Sequence, residues 1–359
     1  MRIGIIGASS QVGSSLAMHL SLHKGIVPIC FVRSEYPAVF FEVVGVEYRL
    51  IDFTDIPKLT MQLADLELII DCSYPSGQLY QIGKEIKKQL TAILGAMPSG
   101  IPFIYCSTIM AFGMPDGQKY VKNYWLPRST YAYIKRIAER TVKNLSAKYS
   151  FPAFIFRLGQ VHGFLQSVNE SYREKLFMNK TIKLEGKPGD LVNIIFIESL
   201  AVAVIKAGSK QIEHGTYSLV NYPQWTLQQL YDHYIVYYSF QNKIQFTGGA
   251  SSGNHSSAMS SLLESANKMR PLFETLILLR IPKLYIKVKG KYRIMNVRRM
   301  GGTAVPPDYI DFHLLGINPG RLIEGLDSDP KAVLLKEKET ENYYNNQIEN
   351  YINSSPSVL

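Results

Sequence analysis

A tyrosine and a lysine four positions apart are the residues of this chain best suited to moving a proton. Tyr131 and Lys135 lie in a predicted helical stretch, residues 128–135, so both side chains project from one face. A tyrosine with its ordinary pKa of about 10 is a poor acid or base at neutral pH, and an adjacent ammonium group lowers that pKa by favouring the phenolate. Because the chain has 23 tyrosines, an ordinary surface pair remains the alternative for these two residues alone.

Two hydroxyl groups follow the apolar strand that precedes this helix. The run Ile101-Pro-Phe-Ile-Tyr-Cys ends in Ser107 and Thr108, at the carboxyl edge of a predicted sheet. A hydroxyl at this edge can bond the same substrate oxygen that Tyr131 protonates or deprotonates. The combination of tyrosine, lysine and hydroxyl therefore favours acid–base chemistry at an oxygen atom.

A turn bounded by glycines joins the first predicted strand to the first predicted helix. The segment is Gly7-Ala-Ser-Ser-Gln-Val-Gly13. Gly7 allows a tight turn, Gly13 allows the helix to pack closely on the strand, and free amides at the helix N-terminus can hold a diphosphate. Such a glycine pair also occurs in purely structural turns, but its place in a βαβ unit favours phosphate binding.

The end of the second predicted strand carries Arg33 and Ser34, about 20 residues beyond the turn. A guanidinium here favours the 2′-phosphate of NADP, whereas an acidic side chain would bond the free ribose hydroxyls of NAD. We therefore expect NADP as the preferred cofactor. NAD stays open because Glu35 lies two positions beyond Arg33, and a solvated surface arginine is the competing interpretation.

Short apolar runs alternate with helical segments through the first 160 residues. The predicted strands are Arg2–Ile6, Val27–Val32, Glu47–Ile51, Leu68–Cys72, Phe103–Ser107 and Ala153–Leu158, and predicted helices include Gln11–His23, Gly83–Met97 and Tyr131–Tyr149. This alternation predicts an α/β fold with a Rossmann-type, doubly wound parallel sheet, whose ligand lies at the carboxyl ends of the strands.

We expect three parts along the chain. Residues 1–160 form the dinucleotide-binding domain, with interleaved returns around 190–220, and residues 161–335 form a smaller C-terminal substrate-binding α/β part. Asn193–Ile197 and Thr216–Val220 are predicted strands of that smaller part. Residues 336–359 are expected to form a polar tail with a frayed end.

The basic surplus of the chain is concentrated in one segment. The net charge is +10, and ten lysines and arginines with a single glutamate lie between Lys268 and Arg299. We expect this segment to serve an anionic small-molecule substrate or a peripheral contact with an anionic membrane. A nucleic-acid partner is not expected, because no recognition motif accompanies the charge and the aromatic run 231–240 has the spacing of core packing.

The cysteines and histidines predict no metal site. Cys30, Cys72 and Cys106 lie in separate apolar runs, and none of the seven histidines has ligand spacing. His162 lies near the expected site, but a structural role is the favoured interpretation. Reduced cysteines, the lack of a leader-like N-terminus and the lack of a long apolar run favour the cytoplasm.

Taken together, these motifs resemble the extended short-chain dehydrogenase/reductases, which include nucleotide-sugar epimerases, dehydratases and reductases. The matching blocks are Gly7 to Gly13, Ser107-Thr108 with Ala111-Phe-Gly113, Tyr131 with Lys135 and Glu139, Arg157 to Gly163, Ile195 to Ala201, and Leu314 to Leu326. They follow the family order over residues 1 to about 330.

The resemblance implies an NAD(P)-dependent reductase or epimerase that acts on a carbonyl or secondary alcohol, most plausibly of a nucleotide-activated sugar or a related biosynthetic intermediate. Tyr131 would be the acid/base, Lys135 would hold the nicotinamide ribose and tune Tyr131, and Thr108 would orient the substrate oxygen. The implied cofactor contacts are Gly7, Ser10, Gln11, Val12 and Gly13 at the diphosphate, Arg33, Ser34, Asp52 and Phe53 at the adenosine, Cys72, Ser73 and Tyr74 beside the cofactor, and Leu158, Gly159 and Val161 near the nicotinamide. A homodimer through the helices Gly83–Met97 and Tyr131–Tyr149 is also implied.

Departures from the family pattern narrow this expectation. Ser10 replaces the middle glycine of the turn, and Ile109 and Met110 stand where the dehydratases carry two acidic residues, so a dehydratase is disfavoured. Gln160, His162 and Phe196 replace the usual residues of the later blocks, so we expect substrate contacts that differ from those of the familiar sugar-nucleotide enzymes. Two alternatives remain: a membrane-surface reductase of an apolar or lipid-linked substrate, and a non-catalytic cofactor-sensing protein.

Overall fold

A computed structural model of the chain describes residues 1–75, 79–112, 115–116, 119–120, 130–185, 187–247, 321–327 and 329–354. The basic segment 268–299 lies outside these residues, so the expectations of an anion site or a membrane contact in that segment stay predictions. Residues 314–320, which belong to the last matching block, lie outside them as well.

A seven-stranded sheet forms the centre of the fold, and each neighbouring pair of its strands is parallel. Its strands are β1 Arg2–Ile6, β2 Val27–Val32, β3 Tyr48–Leu50, β4 Leu68–Asp71, β5 Phe103–Thr108, β8 Ala153–Leu158 and β12 Gly215–Leu219, in the order β12-β8-β5-β4-β1-β2-β3. The predicted Rossmann-type sheet is confirmed. The strand predicted at Thr216–Val220 is β12, and it pairs with β8 at the edge of this main sheet instead of lying in the smaller part. Its position is compatible with the returns to the dinucleotide-binding domain that were also expected around residues 190–220.

Helices cover both faces of the sheet. They are α1 Gln11–Ser21, α2 Glu35–Val43, α3 Ile56–Leu63, α4 Leu79–Ala96, α5 Thr130–Tyr149, α6 Ser167–Met178, α7 Ile197–Gly208, α8 Leu227–Tyr237 and α9 Pro330–Ser354. Leu16 of α1 and Leu200 of α7 belong to one buried cluster, and Leu90 of α4 and Ala138 of α5 belong to the other. The inner strands β1, β2, β4, β5 and β8 are mainly apolar without alternation because both of their faces are buried, whereas the edge strands β3 and β12 are more polar.

The smaller part packs around its own aromatic cluster. Its strands are β9 Gln160–His162, β10 Thr181–Glu185, β11 Ile194–Phe196 and β13 Lys243–Thr247, and β6 Pro115–Asp116 and β7 Lys119–Tyr120 form a separate short hairpin. Tyr231 and Tyr234 of α8 are buried in this cluster, which confirms core packing for them. Buried His162 bonds the hydroxyl of Tyr234 and lies 3.0 Å from Oε1 of Gln160, as a structural histidine does.

The expected polar tail is in fact a helix for most of its length. Helix α9 buries Glu337, Thr340 and Tyr344, and it packs against α1, α2 and α7. Residues 355–359, where a frayed end was predicted, lie outside the described residues. The composition misled the prediction because three buried positions suffice to dock a helix whose other faces are polar.

A buried charge cluster fastens α9 to the sheet's helices. His19 of α1 is fully buried, with Nδ1 3.0 Å from Oε2 of Glu198 and Nε2 3.3 Å from Oε2 of Glu337. His23 pairs with the other oxygen of Glu198 at 3.0 Å. Burial opposes protonation of His19, but the carboxylates of Glu337 and Glu198 outweigh it and raise its pKa to about 9. The imidazolium is thus shared by carboxylates from two other helices.

This pairing predicts a specific pH dependence of stability. Because the pKa of His19 is about 9 in the folded chain and 6.5 without its partners, its contribution is complete below about pH 6.5 and is lost as the pH rises through 9. We expect the free energy of unfolding to fall by on the order of 3 kcal/mol between pH 6 and 10 through this group. Urea denaturation followed by circular dichroism measures it.

The variant His19→Gln is the matched comparison, since other groups also titrate over this range. Its unfolding free energy should be lower than that of the wild type at pH 6 and should converge with it near pH 10. A constant difference between the two proteins at every pH would contradict the assignment.

Candidate active site

A buried ion pair fixes helix α5 against two strands of the sheet. The Glu139 carboxylate accepts hydrogen bonds from Nε and Nη2 of Arg157 at 2.8 and 2.6 Å, and from the Ser107 hydroxyl at 2.6 Å. Glu139 lies on α5, Arg157 on β8 and Ser107 on β5, and all three are buried. The N-terminal half of α5 is therefore held in register with the carboxyl ends of β5 and β8.

Lys135 lies one helical turn before Glu139 and is itself 4% exposed. Its Nζ donates to the carbonyl oxygen of Cys106 at 2.8 Å and lies 4.9 Å from the ring centre of Tyr105. Burial opposes the charge on Lys135, but Tyr105 and Asp71 outweigh it and raise the pKa of the ammonium group. Lys135 is a fixed cation at the edge of the sheet.

Tyr131 lies on the solvent side of Lys135, at the same edge of the sheet. Its ring centre is 5.9 Å from Nζ of Lys135 and 5.3 Å from the ring centre of Tyr74, and the two tyrosines are each 37% exposed. Burial, and then the neighbouring Tyr131, raise the pKa of Tyr74 to about 12, so Tyr74 stays protonated at neutral pH. The structure thus brings Tyr131, Lys135 and Tyr74 together.

The two hydroxyls at the end of β5 differ in their surroundings. Ser107 donates to Glu139 and belongs to the structural ion pair, whereas Thr108, 8% exposed, ends the strand beside Leu158 of β8. Thr108 is therefore the better candidate to contact a substrate. Ile109, which follows it, is buried and brings no acid to this edge.

The carboxylates near this edge in the described residues are already engaged. Asp71, which ends β4, is 1% exposed and accepts the amide of Ser73 at 2.8 Å, and burial raises its pKa. Glu139 is paired with Arg157. Neither is placed as the free acid and base that elimination of water needs, and the prediction that disfavours a dehydratase stays a prediction.

The glycine-bounded turn has the tight geometry expected of it. Gly7 has a φ of +73°, and a Cβ there would lie 2.6 Å from the backbone of Ser73. A Cβ on Gly13 would lie 2.4 Å from the carbonyl oxygen of Gly7. Both positions require glycine, and they bring the start of α1 close to the ends of β1 and β4.

Ser10 caps the helix that this turn begins. Its Oγ accepts the amide of Gly13 at 3.1 Å and donates to the carbonyl of Cys72 at 3.3 Å. The first amides of a helix have no partner within the helix, so those of Gln11 and Val12 are available to an anion while that of Gly13 is taken by the cap. The Ser10 side chain thus links the start of α1 to the backbone that follows β4.

The predicted adenosine contacts lie on the neighbouring strands. Arg33 and Ser34 are exposed where α2 begins, and Ser34 makes no side-chain bond as its N-cap. Asp52 accepts the amide and hydroxyl of Thr54 at 2.8 and 2.7 Å, and these bonds lower its pKa. Phe53 packs partly into the core and lines an open groove of about 750 Å³ beside α4.

The remaining predicted contacts line the central strands. Cys72 and Cys106 are buried free thiols on adjacent strands, with their Sγ atoms 3.5 Å apart, and the Ser73 hydroxyl accepts Nε2 of Gln89 at 2.6 Å. Gly159 has no room for a side chain, since a Cβ would lie 2.5 Å from the carbonyl of Asn193. Leu158 is buried and Val161 is partly buried, both beside the end of the sheet.

Three residues at this site escaped the sequence prediction. Asp71 had a signal, because an acid directly after a buried apolar strand falls at the ligand edge of a parallel sheet. Tyr105 looked like one more apolar strand residue. Gln166 donates to the carbonyl of Gln11 at 2.9 Å, and no local pattern indicates a contact across 155 positions.

Within the described residues, no group of histidine, cysteine and acidic side chains is arranged to hold a metal ion. The same residues contain no helix that is long and apolar enough to span a bilayer.

The outer surface of α4 and α5 is basic. The exposed charged residues of these two helices, whose outer surfaces together are called the α4/α5 face, are Lys84, Glu85, Lys87, Lys88, Arg140, Lys143 and Lys148, and the first three lysines also line the groove beside Phe53. The two helices pack against each other within the chain, and Gly83 lies close to Ile137. Pairing of two copies through this face stays a prediction.

Comparisons with known proteins agree with the fold. The sequence model of a family described as the NAD dependent epimerase/dehydratase family matches residues 3–207, which is more than half of the chain. A search of curated protein sequences gives no significant match.

Solved structures of epimerases have the same fold at low identity. A UDP-N-acetylglucosamine 4-epimerase from Bacillus cereus is 18% identical with a TM-score of 0.53, over 69% of this chain and 86% of that chain. A UDP-glucuronic acid 4-epimerase from Bacillus cereus, in complex with UDP-glucuronic acid and NAD, is 16% identical with a TM-score of 0.50, over 69% and 87%. A UDP-glucose 4-epimerase from Thermotoga maritima, with UDP-glucose, is 14% identical with a TM-score of 0.50, over 70% and 87%.

The cap at Ser10 leads to a prediction about dinucleotide affinity. In Ser10→Gly, the amide of Gly13 becomes free for a diphosphate oxygen, and a hydrogen bond of about 0.5–1.5 kcal/mol corresponds to roughly two- to tenfold tighter binding. The melting temperature should hardly change, because glycine is a tolerable N-cap. Isothermal titration with NADP and NAD measures the effect. Ser9→Gly, at the exposed neighbouring position, is the control, and unchanged or weaker binding by Ser10→Gly would contradict the prediction.

Proposed function

The chain belongs to the NAD-dependent epimerase/dehydratase family, and from that premise we propose that it transfers a hydride between a nicotinamide dinucleotide and a carbonyl or secondary alcohol carbon, with Tyr131 as the acid/base. The substrate we propose is a nucleotide-activated sugar or a related anionic biosynthetic intermediate. Reduction and epimerisation use the same groups, and both fall within this proposal.

The observation that carries the proposal is the arrangement around Lys135. Its ammonium group is held by the carbonyl of Cys106 and lies within 6 Å of the ring centre of the exposed Tyr131. Thr108 ends the adjacent strand at the same edge of the sheet. A purely structural cation has no need of an accessible tyrosine beside it, which favours a catalyst over a cofactor-sensing protein.

The proposed chemistry divides between the cofactor and the side chains. A bound nicotinamide accepts or returns the hydride. Tyr131 takes the proton from the substrate hydroxyl, or returns it to the carbonyl oxygen, and Lys135 favours the phenolate form of Tyr131 by its charge. Thr108 donates a hydrogen bond to the same oxygen and keeps it within reach of Tyr131.

The residues present fit such a cofactor. The turn at Gly7 and Gly13 leaves no room for a Cβ and presents the amides of Gln11 and Val12, which suits a diphosphate. We assign the adenosine side to Arg33, Ser34, Asp52 and Phe53, and the nicotinamide side to the ends of β4, β5 and β8. The free, buried cysteines suit a reducing compartment such as the cytoplasm, where we propose the protein works.

We propose NADP as the preferred dinucleotide. Arg33 and Ser34 are exposed together at the N-terminus of α2, where a guanidinium, a hydroxyl and the first helix amides can surround a 2′-phosphate. The neighbouring structure that contains NAD is too distant in sequence to decide the preference.

Substitution of Tyr131 tests the catalytic proposal. Tyr131→Phe should lower kcat by about 10²–10⁴-fold on the substrate found by screening nucleotide sugars, because it removes the proton that general acid–base catalysis transfers. Cofactor affinity should stay within about twofold. Absorbance of the reduced nicotinamide and chromatography of the products provide the measurements.

The control is Tyr149→Phe, at the exposed far end of the same helix. Full activity of Tyr131→Phe would overturn the assignment. Binding of a dinucleotide by a wild type that turns over no nucleotide sugar would favour the cofactor-sensing alternative.

The NADP preference is tested separately. Arg33→Ala should weaken NADP binding by about tenfold or more, because a charge-assisted hydrogen bond contributes about 1.5–3 kcal/mol. The affinity for NAD should change little. Titration of both dinucleotides into Arg33→Ala and into Arg140→Ala, an exposed arginine of α5, gives the comparison. An equal loss for the two dinucleotides, or no loss, would refute the role of Arg33.

A further inference from the structure

The C-terminal helix α9 lies against the helix that begins at the phosphate-binding turn. Tyr344 of α9 is buried, and its hydroxyl contacts the hydroxyl of Ser21 and lies 3.4 Å from the carbonyl oxygen of Met18, both on α1. Nothing in the family resemblance, which ends at about residue 330, assigns a function to this helix. Its contacts with α1 place it behind the site.

Glu337 is the charged residue of α9 that reaches the interior. One oxygen, Oε1, accepts the backbone amide of Glu198 at 2.7 Å, in the first turn of α7, and Oε2 lies 3.3 Å from Nε2 of His19. An anion at the start of α7 is also favoured by the helix dipole. The Glu337 carboxylate is therefore held on α7 by an amide and on α1 by an imidazolium.

The same carboxylate fills the space next to Gly163, in the loop between β9 and α6. Gly163 has a φ of +131°, and a Cβ there would lie 2.6 Å from Oε2 of Glu337. Its carbonyl accepts the amide of Gln166 at 3.2 Å, and its amide donates to Oδ1 of Asn169 at 3.2 Å. The path of this loop is thus fitted to the position of the Glu337 carboxylate.

The loop in turn holds the phosphate-binding turn. Nε2 of Gln166, 5% exposed, donates to the carbonyl oxygen of Gln11 at 2.9 Å and to the hydroxyl of Ser15 at 2.8 Å. The hydroxyl of Ser167 donates to Oε1 of Gln11 at 3.1 Å. The Gln11 carbonyl and the Val12 amide belong to one planar peptide unit, so a bond that holds this carbonyl also holds the Val12 amide, one of the two that the cap leaves available to a diphosphate.

We propose that Glu337 is a positioning residue for dinucleotide binding, which sets the orientation of Gln11 through Gly163 and Gln166. This inference rests on the proposed use of the turn for a dinucleotide. The C-terminal helix is then a part of the cofactor site that never touches the cofactor. Its effect is on affinity, because the groups that transfer the proton lie on α5 and β5.

The experiment compares three substitutions with one control by titration of NADP and NAD. Glu337→Gln removes the charge, and Gly163→Ala crowds the carboxylate and also strains the loop backbone at its φ of +131°. Gln166→Met removes the donors to Gln11 while leaving α9 untouched. Glu349→Gln, at an exposed position of α9, is the matched control. We expect each of the three substitutions to raise the dinucleotide Kd about five- to twentyfold, and the Kd of the control to stay within twofold of the wild type. Circular dichroism should show that all four variants are folded.

A double-variant cycle separates positioning from simple stabilisation. If the path is as described, Glu337→Gln combined with Gln166→Met raises the Kd no more than the stronger single variant does. The KM of the dinucleotide should rise in both single variants while kcat at saturating dinucleotide stays within twofold. A helix that only stabilises the fold would lower the melting temperature and leave the Kd of the folded protein unchanged.

Each result bears on one claim. If the wild type binds neither dinucleotide, the proposed function fails. If the wild type binds and Glu337→Gln and Gly163→Ala bind equally well, the positioning role is overturned. Multiplicative losses in the double variant would overturn it too, and if Glu337→Gln does not fold, Gly163→Ala with Gln166→Met completes the same cycle.

Discussion

The candidate site depends on the buried ion pair and hydrogen bond that the carboxylate of Glu139 forms. It joins α5 to β8 through Arg157 and to β5 through Ser107, which are the elements that carry Tyr131, Lys135 and Thr108. An isolated charge in this position would be costly, and removal of one partner of a buried pair costs about 3–5 kcal/mol. The pair therefore fixes the position of α5 relative to β5 and β8, and with it the positions of Tyr131, Lys135 and Thr108.

Local sequence patterns sufficed for the central sheet and for the turn. Five of the strands from Arg2–Ile6 to Ala153–Leu158 are mainly apolar runs between helical segments, so sequence pattern locates them, and the exception is the half-exposed edge strand Tyr48–Leu50. Gly7 and Gly13 are needed for steric reasons that their spacing already indicates. The same patterns indicated a strand at Thr216–Val220 but not its neighbour in the main sheet, because the partner of an edge strand is chosen by tertiary packing.

Interactions between distant positions could not be predicted. His19, Glu198 and Glu337 are ordinary surface residue types in their own segments, and only the packing of three helices shows that the two carboxylates lie against the two ring nitrogens of one buried histidine. Helix α9 was not predicted for the same reason, since its composition is polar and only packing shows that three of its residues are buried. At the site, the spacing of Tyr131 and Lys135 was visible, but the separate surroundings of Ser107 and Thr108 depend on the position of Glu139.

The basic α4/α5 face constrains how two copies of this chain can meet. In a twofold-symmetric pair the same patch lies on both sides of the contact, so exposed cations of α5 such as Arg140 and Lys143 would bring like charges close together if they lay in it. The repulsion between such like charges weakens as ionic strength screens it. Association through this face would therefore grow with added salt, the reverse of the behaviour of oligomers joined by oppositely charged surfaces.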